Sequence, residues 1–464
     1  MDNLFVYLFI ALVLGILTKI FIIPVSIPII LIVVFVGLSI FLKEYISLIS
    51  LLITSFLLGI YIAPKPIDLK KLPKGKPVYL ECKVVSFFQN YYGKSKFNCK
   101  VLSSELKDLE GKQITVISNL KPDFLSNIYA LGKIKTKYDK IYLKADIPFI
   151  KEEKSKFISL VNSFRNYLID LFKKQTLNHQ SFAIGNALIF GDRSYIDKET
   201  KNAYLQTGLI HLLAISGFHI AIIFSVIFLL ISPISKKLAY ITTILFLSVF
   251  VFISGFKIPV VRASIGGIFF AISKIKGYKL NFLNLLFFIA FISILVEPYT
   301  IFSLSFQLSF LAVLGIFLVW QKLRFNIKNK FLDFILKSYI TSLVASLFIL
   351  PVLLFNFGKF SLISILFTTP LIAILYPYVF LEILNLITLF QIKFLVNVMD
   401  YVGVIFSNLV KWLSKFEIMI TNHYVSILYL ILYYLALIFI YLLPVKITYF
   451  VLLNILLFIF IISI

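Results

Sequence analysis

The sequence is short of the residues that build metal centres and catalytic clusters: 2 cysteines and 4 histidines in 464 residues. Cys82 and Cys99 form no C-x-x-C pair and no H-x-H-x-D motif occurs, so a standard metal site is unsupported and no cofactor is expected. There is no G-x-x-x-x-G-K-[ST] loop, which puts any energy source in a partner or a gradient. No nucleophile–base spacing stands out, so an enzyme is not expected. Acidic residues are scarce, 21 against 45 Lys plus Arg, and the formal net charge is +24. Arginine is nearly absent: Arg165, Arg193, Arg262 and Arg324 are the whole set, so lysine carries the positive charge. The first apolar segment lacks a basic leader and a small-residue cleavage site, and it reads as a retained span.

Apolar surface is what the chain has instead. It is 60% hydrophobic with a mean hydropathy of +1.00, a composition that a soluble globular protein does not need. The 50 phenylalanines, with abundant Ile, Lys, Tyr and Asn, follow AT-rich codon usage, so an aromatic or a lysine is not functional by itself. The pattern predicts a polytopic α-helical membrane protein of about 10–12 spans with an inserted small extracytoplasmic β-barrel (OB-like) domain. The divisions are N-terminal transmembrane helices over 1–64, the β domain over 65–152, an amphipathic linker helix over 153–180 and a transmembrane domain over 181–464.

Three apolar segments come first, near Leu4–Ile23, Ile27–Leu42 and Ile46–Ile62. Between Lys65 and Lys156 hydropathy collapses, and Val78–Phe88, Lys96–Leu102, Gln113–Ser118, Ile128–Thr136 and Ile141–Pro148 read as short strands. Cys82 and Cys99 flank the Asn90–Gly93 turn almost symmetrically, which suits either a hairpin disulfide or two buried thiols. Phe87, Phe88, Tyr91 and Tyr92 interleave with Lys83, Lys94 and Lys96. Such a surface suits single-stranded DNA, by stacking and charge, and equally an aromatic core under solvated lysines. Ser155–Gln175 has helical apolar spacing and is expected to lie in the membrane interface.

Further spans read near Leu238–Ser254, Ile258–Ser273, Phe282–Val296, Ile301–Trp320, Phe331–Phe357, Leu362–Ile392, Phe394–Phe416, Ile427–Leu443 and Ile447–Ile464. Pro370 and Pro377 suggest that 362–392 is two half-helices or a re-entrant pair. Basic loops at 235–237, 274–279 and 322–330 are each two spans apart. The positive-inside rule puts them in the cytoplasm, with a cytoplasmic N-terminus and the β domain outside.

Polar residues at membrane depth are candidates for function by default. Those here are Asp192, Arg193, His211, Ser216, Gly217, His219, Lys257, Arg262 and Gln307. His211 is expected near the outer end of a span, with Ser216-Gly217 as a break inside it. Arg262 is expected to face a cavity or to pair with Asp192 or Glu297. Asp192-Arg193 is expected to cap the next helix or to pair internally. Gln307 and Gly315 suit close helix contact.

GDRS at 191–194 followed by TGLIHLLAISGFHI at 207–220 resembles the signature of the ComEC family of competence proteins. The run Val260-Val261-Arg262-Ala263, the stretch from Ser305 to Gly315, and Pro351 to Leu362 extend the resemblance in the same order. The resemblance implies a channel in the bacterial cytoplasmic (inner) membrane that passes single-stranded transforming DNA inward during natural competence, with an OB-like domain in the periplasm. It makes Asp192, Arg193, His211, Ser216, Gly217, His219, Lys257, Arg262 and Gln307 candidates for the DNA path. Its implied partners are single-stranded DNA, the lipid bilayer, a periplasmic DNA-binding competence protein, and a cytoplasmic motor or single-strand-binding protein. Many family members carry a C-terminal domain of the metallo-β-lactamase type. This sequence ends in apolar Phe458–Ile464, so a separate nuclease is expected. Ile210 and Glu297-Pro298 depart from the family's usual small polar residue and Asp-Pro. The residues alone also fit a transporter of a small anionic solute or lipid, or an intramembrane hydrolase using His211, His219 and Asp192.

Overall fold

A computed structural model of the chain describes residues 4–20, 53, 55–61, 63, 77–85, 89–91, 94–120, 122, 126–137, 140–151, 156–322, 328–416, 419–421 and 426–442. The expected span at 27–42, most of the one at 46–62 and the last at 447–464 lie outside these residues, as do Phe87, Phe88 and Tyr92.

Helix α1 (Leu4–Ile20) buries Leu12 and Ile16 completely against Ala290, Ile294 and Phe306. The polar region then folds into strands β1 (Pro77–Val84), β2 (Gln89–Tyr91), β3 (Lys94–Ser104), β4 (Gln113–Ser118), β5 (Asn127–Lys137) and β6 (Lys140–Lys151). Alternation drives the folding. In β1 the even-numbered Val78, Leu80, Cys82 and Val84 are buried while Tyr79 and Lys83 face out. The sheet order is β1-β5-β6-β4-β3-β2, and a further β1–β3 pairing closes it into a barrel. All pairs are antiparallel except β4 with β6. Phe97, Val116, Ile128 and Leu143 fill the interior, each contributing roughly 1.5–3 kcal/mol by leaving water.

Cys82 and Cys99 both lie in that interior, fully buried, with Sγ atoms 2.09 Å apart and Cα atoms 5.7 Å apart. They are diagonal neighbours across β1 and β3: Cys82 stands opposite Val101, and Cys99 opposite Val84.

The helical region comprises α2 (Lys156–Gln175), α3 (His179–Ile189), α4 (Lys198–Gln206), α5 (Gly217–Ile231), α6 (Lys236–Ile253), α7 (Ile258–Lys276), α8 (Phe282–Val296), α9 (Leu304–Lys322), α10 (Lys330–Phe357), α11 (Leu362–Ile387), α12 (Lys393–Leu413) and α13 (Ile427–Leu442). Among the described residues, five helical segments are long and apolar enough to cross a membrane: 236–253, 258–276, 332–357, 362–387 and 393–416. Shorter apolar helices include Gly217–Ile231, Phe282–Val296 and Leu304–Leu318. Strand β7 (Lys359–Ser361), between α10 and α11, pairs antiparallel with β8 (Met419–Thr421), between α12 and α13.

Two expectations change. Residues 362–387 form one helix with Pro370 and Pro377 inside it, not two halves. A proline forfeits one backbone bond, whereas a break in apolar surroundings would strand several. Helix α2 is more than an interfacial ramp. Leu168, Ile169 and Phe172 join the main core, while Leu160, Phe164 and Tyr167 stay exposed.

Candidate functional site

The site begins at the end of α3. Asn178 starts this helix, its Oδ1 accepting from the amides of Gln180 at 2.8 Å and Ser181 at 3.4 Å. The chain leaves α3 through Gly191, whose φ of +67° suits glycine. A Cβ there would also come within 2.8 Å of Lys257 Cε, so the lysine stem lies along the turn. Asp192 Oδ1 accepts from the Ser194 amide at 2.9 Å and holds the turn locally. It neither caps α4 nor pairs with Arg193. The cap is Asp197, which accepts from the amide and the hydroxyl of Thr200, both at 2.7 Å. Arg193 Nε donates to the Leu213 carbonyl at 3.0 Å instead.

Gly208, with φ of +70°, ends α4, and a 3-10 turn over Leu209–Leu213 carries His211 on its exposed side. His211 Nδ1 lies 3.0 Å from the Gly208 carbonyl. His211 therefore precedes the apolar helix rather than sitting within it. Ser216-Gly217 is the start of α5, not a break. His219 Nδ1 accepts from the Ser216 amide at 3.1 Å, a cap supplied by an imidazole in the helix's first turn. An accepting Nδ1 places the proton on Nε2, which is buried without a partner. Asp192, His211 and His219 are not brought together: among the described residues no three His, Cys, Asp or Glu side chains converge.

Arg165, on α2, completes a cationic cluster with Arg193 and Lys257. It is 6% exposed and ties three elements, donating to Ile253 O at the end of α6 and to Phe190 O past α3, both at 3.1 Å. Burial lowers the Lys257 ammonium to about 8; the Arg165 and Arg193 charges add to the lowering, and Asp192 is the acid that opposes it. Burial also takes Arg165 down to about 10, so it stays charged at neutral pH. Sequence reading passed over Arg165 because the helical pattern assigned it to the solvent side.

Lys257 leads into α7, and Arg262 follows within the next two turns. Arg262 is 5% exposed, and neither Asp192 nor Glu297 pairs with it. One Nη donates to the Ser305 carbonyl of α9 at 3.0 Å, and the guanidinium lies 5.7 Å from the Phe306 ring and 5.6 Å from the Phe310 ring. Its Nε and Nη1 have no partner. Gln307 Nε2 donates to the Ile301 carbonyl at 3.1 Å, bracing the 3-10 corner before α9. Gly315 does give close helix contact, since a Cβ there would press into the Phe348 ring.

The barrel reaches the same corner. Lys100 Nζ lies 3.3 Å from Glu297 Oε2, and Lys112 Nζ lies 5.8 Å from the Tyr299 ring. Lys83 faces out from β1, Lys94 is half-buried on β3, and Lys96 lies 5.6 Å from the Tyr142 ring. Tyr91 lies in β2 opposite Lys94. The barrel's outer face also carries a pair that the interleaving argument missed: Tyr79 and Tyr129 stack at 6.1 Å with planes 17° apart. Their signal was a tyrosine at an outward position between buried residues.

These features define a multi-pass helical protein that carries a small β-barrel against one of its interhelical corners. The chain belongs to the competence protein family: the family model described as Competence protein matches residues 188–446, more than half of the chain. It is 31% identical over 232 residues to ComE operon protein 3 of Bacillus subtilis, covering 49% of this chain and 28% of that protein. It is 26% identical over 324 residues to an uncharacterized protein of Aquifex aeolicus, covering 68% and 74%. It is 31% identical over 178 residues to recombination protein 2 of Haemophilus influenzae, covering 36% and 22%. The matches thus span under a third of the Bacillus and Haemophilus proteins. No solved structure matches the chain.

Proposed function

We propose that the chain passes single-stranded transforming DNA across the bacterial cytoplasmic membrane during natural competence. The observation that carries this reading is the succession of cations Arg165, Arg193, Lys257 and Arg262, of which Arg165 and Arg262 are buried, Lys257 is half-buried and Arg193 lies at the surface. It runs from the helix ends into α7, and Arg262 keeps two guanidinium nitrogens unpartnered. A polyanion needs fixed positive charge along its way, and a forked guanidinium suits a phosphate.

The topology fits. Ends of α6–α9 at 236–237, 274–276 and 322 are basic, and the opposite corners at 254–257 and 297–303 lie on the barrel's side. With the basic loops in the cytoplasm, the barrel faces the periplasm and the N-terminus the cytoplasm. The shorter apolar helices, together with the expected spans outside the described residues, support about ten to twelve crossings. The barrel's five long strands, the β1–β3 closure and the single parallel β4–β6 pair support an OB-like identity. Tyr79 and Tyr129, beside Lys83, then offer a stacking platform for bases in the incoming strand. A periplasmic DNA-binding protein would deliver DNA, and a cytoplasmic motor or single-strand-binding protein would draw it in.

Transport of a small anionic solute is the second reading, because one free guanidinium edge also fits a lone anion. The hydrolase reading gains nothing from histidines that serve as local hydrogen-bonding groups apart from each other. The deciding experiment follows labelled double-stranded DNA in cells lacking the protein and in cells carrying Arg262→Ala at matched membrane levels. DNA that reaches a nuclease-protected periplasmic pool but not the cytoplasm supports the channel. Unchanged cytoplasmic DNA on deletion sinks it and leaves the solute transporter first.

A further inference from the structure

The apolar run of α11 holds a single acid, Glu382, which the cation path does not use. It is 1% exposed, and neither carboxyl oxygen has a hydrogen-bond partner or an ion pair. Its surroundings are specific. Tyr378, one turn earlier and fully buried, brings its hydroxyl to the same spot over Gly185 of α3 as Glu382 Oε1. A Cβ on Gly185 would collide with the carboxyl oxygen and come within 2.8 Å of the Tyr378 hydroxyl. The Tyr378 hydroxyl donates to Ser181 O at 2.7 Å and lies 3.4 Å from Ser181 Oγ. Ser181 in turn lies against Asp400 of α12. Asp400 Oδ2 accepts from the Leu177 amide at 2.8 Å, while Oδ1 is buried and unpartnered. Among the described residues, the titratable groups that face this pocket are Tyr378 on α11, Asp400 on α12 and, beyond Tyr378, Tyr204 on α4, with no cation.

A lone carboxylate without donor or cation is a costly occupant of such a place, whereas the neutral acid is a tolerable one. An acid in an apolar helix is costly, and chains of intramembrane ionisable side chains are the parts of proton relays. Pro377, next to Tyr378, leaves the Ala373 carbonyl without its helical donor, which places a weak point of α11 beside the acid. On its far side α11 meets α5, where the Tyr376 ring lies 6.4 Å from Phe218, the neighbour of the capping His219.

We infer that Glu382 is a reversible proton-binding site, served by Tyr378, Ser181 and Asp400, whose loading and release accompany transport. Release leaves a carboxylate on Glu382 and passes one proton to the Asp400 carboxylate once the Tyr378 hydroxyl swings from Ser181 O to meet Glu382, and loading is the reverse; only O–H bonds change. The coupling rests on the transport reading above, and a proton gradient would supply energy to a chain in which no nucleotide loop is seen.

The test has two arms. The first is infrared spectroscopy of the full chain in lipid nanodiscs near neutral pH, where exposed carboxyls, with ordinary pKa values of about 4, are ionised. A neutral-carboxyl C=O band that shifts in heavy water and is lost in Glu382→Gln is expected. Tyr378→Phe is expected to keep the band but slow its hydrogen–deuterium exchange at least about tenfold. Absence of the band, as a bound metal cation would cause, or its survival in Glu382→Gln, overturns the site. The second arm measures cytoplasmic DNA at matched protein levels. Glu382→Gln, which keeps the shape of the neutral acid, is expected to lower it at least about tenfold, with partial return in Glu382→Asp. Normal uptake in Glu382→Gln overturns the coupling and leaves the channel standing. Normal uptake on deletion of the whole chain sinks the channel and leaves the infrared result untouched.

Discussion

Replacing Arg262 by methionine separates a structural arginine from a working one. The structural contacts are one charged hydrogen bond to Ser305 O and two ring faces, from Phe306 and Phe310. The bond is worth about 1.5–3 kcal/mol, and each ring face about 0.5–2. Against them stands the cost of burying a guanidinium with two unpartnered nitrogens, several kcal/mol. The terms nearly cancel, so an apolar side chain of similar length is expected to change folding stability by less than about 2 kcal/mol. Cytoplasmic DNA uptake is expected to be lost, and Arg262→Lys, which keeps charge but not the fork, to retain an intermediate level. Thermal unfolding of the purified protein in detergent reads the first quantity, and uptake of labelled DNA at matched levels reads the second. Arg262→Met with normal uptake would refute the reasoning, as would a variant whose lost uptake is explained by a collapse in stability.

Lys257 predicts a pH effect with a definite sign. Its folded pKa of about 8 lies below the ordinary 10.5, so the unfolded chain binds more protons between those values, and stability rises as pH climbs through that window. Melting curves from pH 7 to pH 10 should show the rise and Lys257→Met should abolish it, while DNA uptake declines above pH 8 as the cluster loses a charge. For the barrel, Cys82→Ala with Cys99→Ala removes a link across 17 residues, worth about 3 kcal/mol; faster proteolysis of the barrel, and no free-thiol labelling of the unreduced parent, are the expected results. Tyr79→Ala or Tyr129→Ala should each weaken single-stranded DNA binding by the purified full chain by about 1–3 kcal/mol. In the same assay Lys83→Ala should lower the salt slope by about 1.

The legible parts were those set by local pattern. The β-prone stretch expected over Val78–Phe88 marked β1, which ends at Val84, and the unbroken apolar run marked α8 with both ends in place. Tertiary facts were hidden. The symmetric placing of Cys82 and Cys99 about the Asn90–Gly93 turn pointed to the antiparallel β1–β3 pair, but the parallel β4–β6 pair joins strands that no local rule brings together. Arg262 was expected to face a cavity or to pair with an acid; Glu297 is held by Lys100, and the guanidinium rests on rings and a carbonyl. His219 looked like a membrane-depth functional group, but its position three residues after Ser216 makes it a cap. Glu382 is visible in the letters as the one acid of an apolar run, but only the packing of α3 and α12 against it shows that it is buried.

Gly185 bears on how this chain can change over time. Its missing side chain is the room in which the Glu382 carboxyl and the Tyr378 hydroxyl meet. A methyl at 185 would meet the Glu382 carboxyl, the Phe172 ring and the Tyr378 hydroxyl at once, so filling it requires all three side chains to shift. These positions form a historical lock, in which substitutions are strongly non-additive.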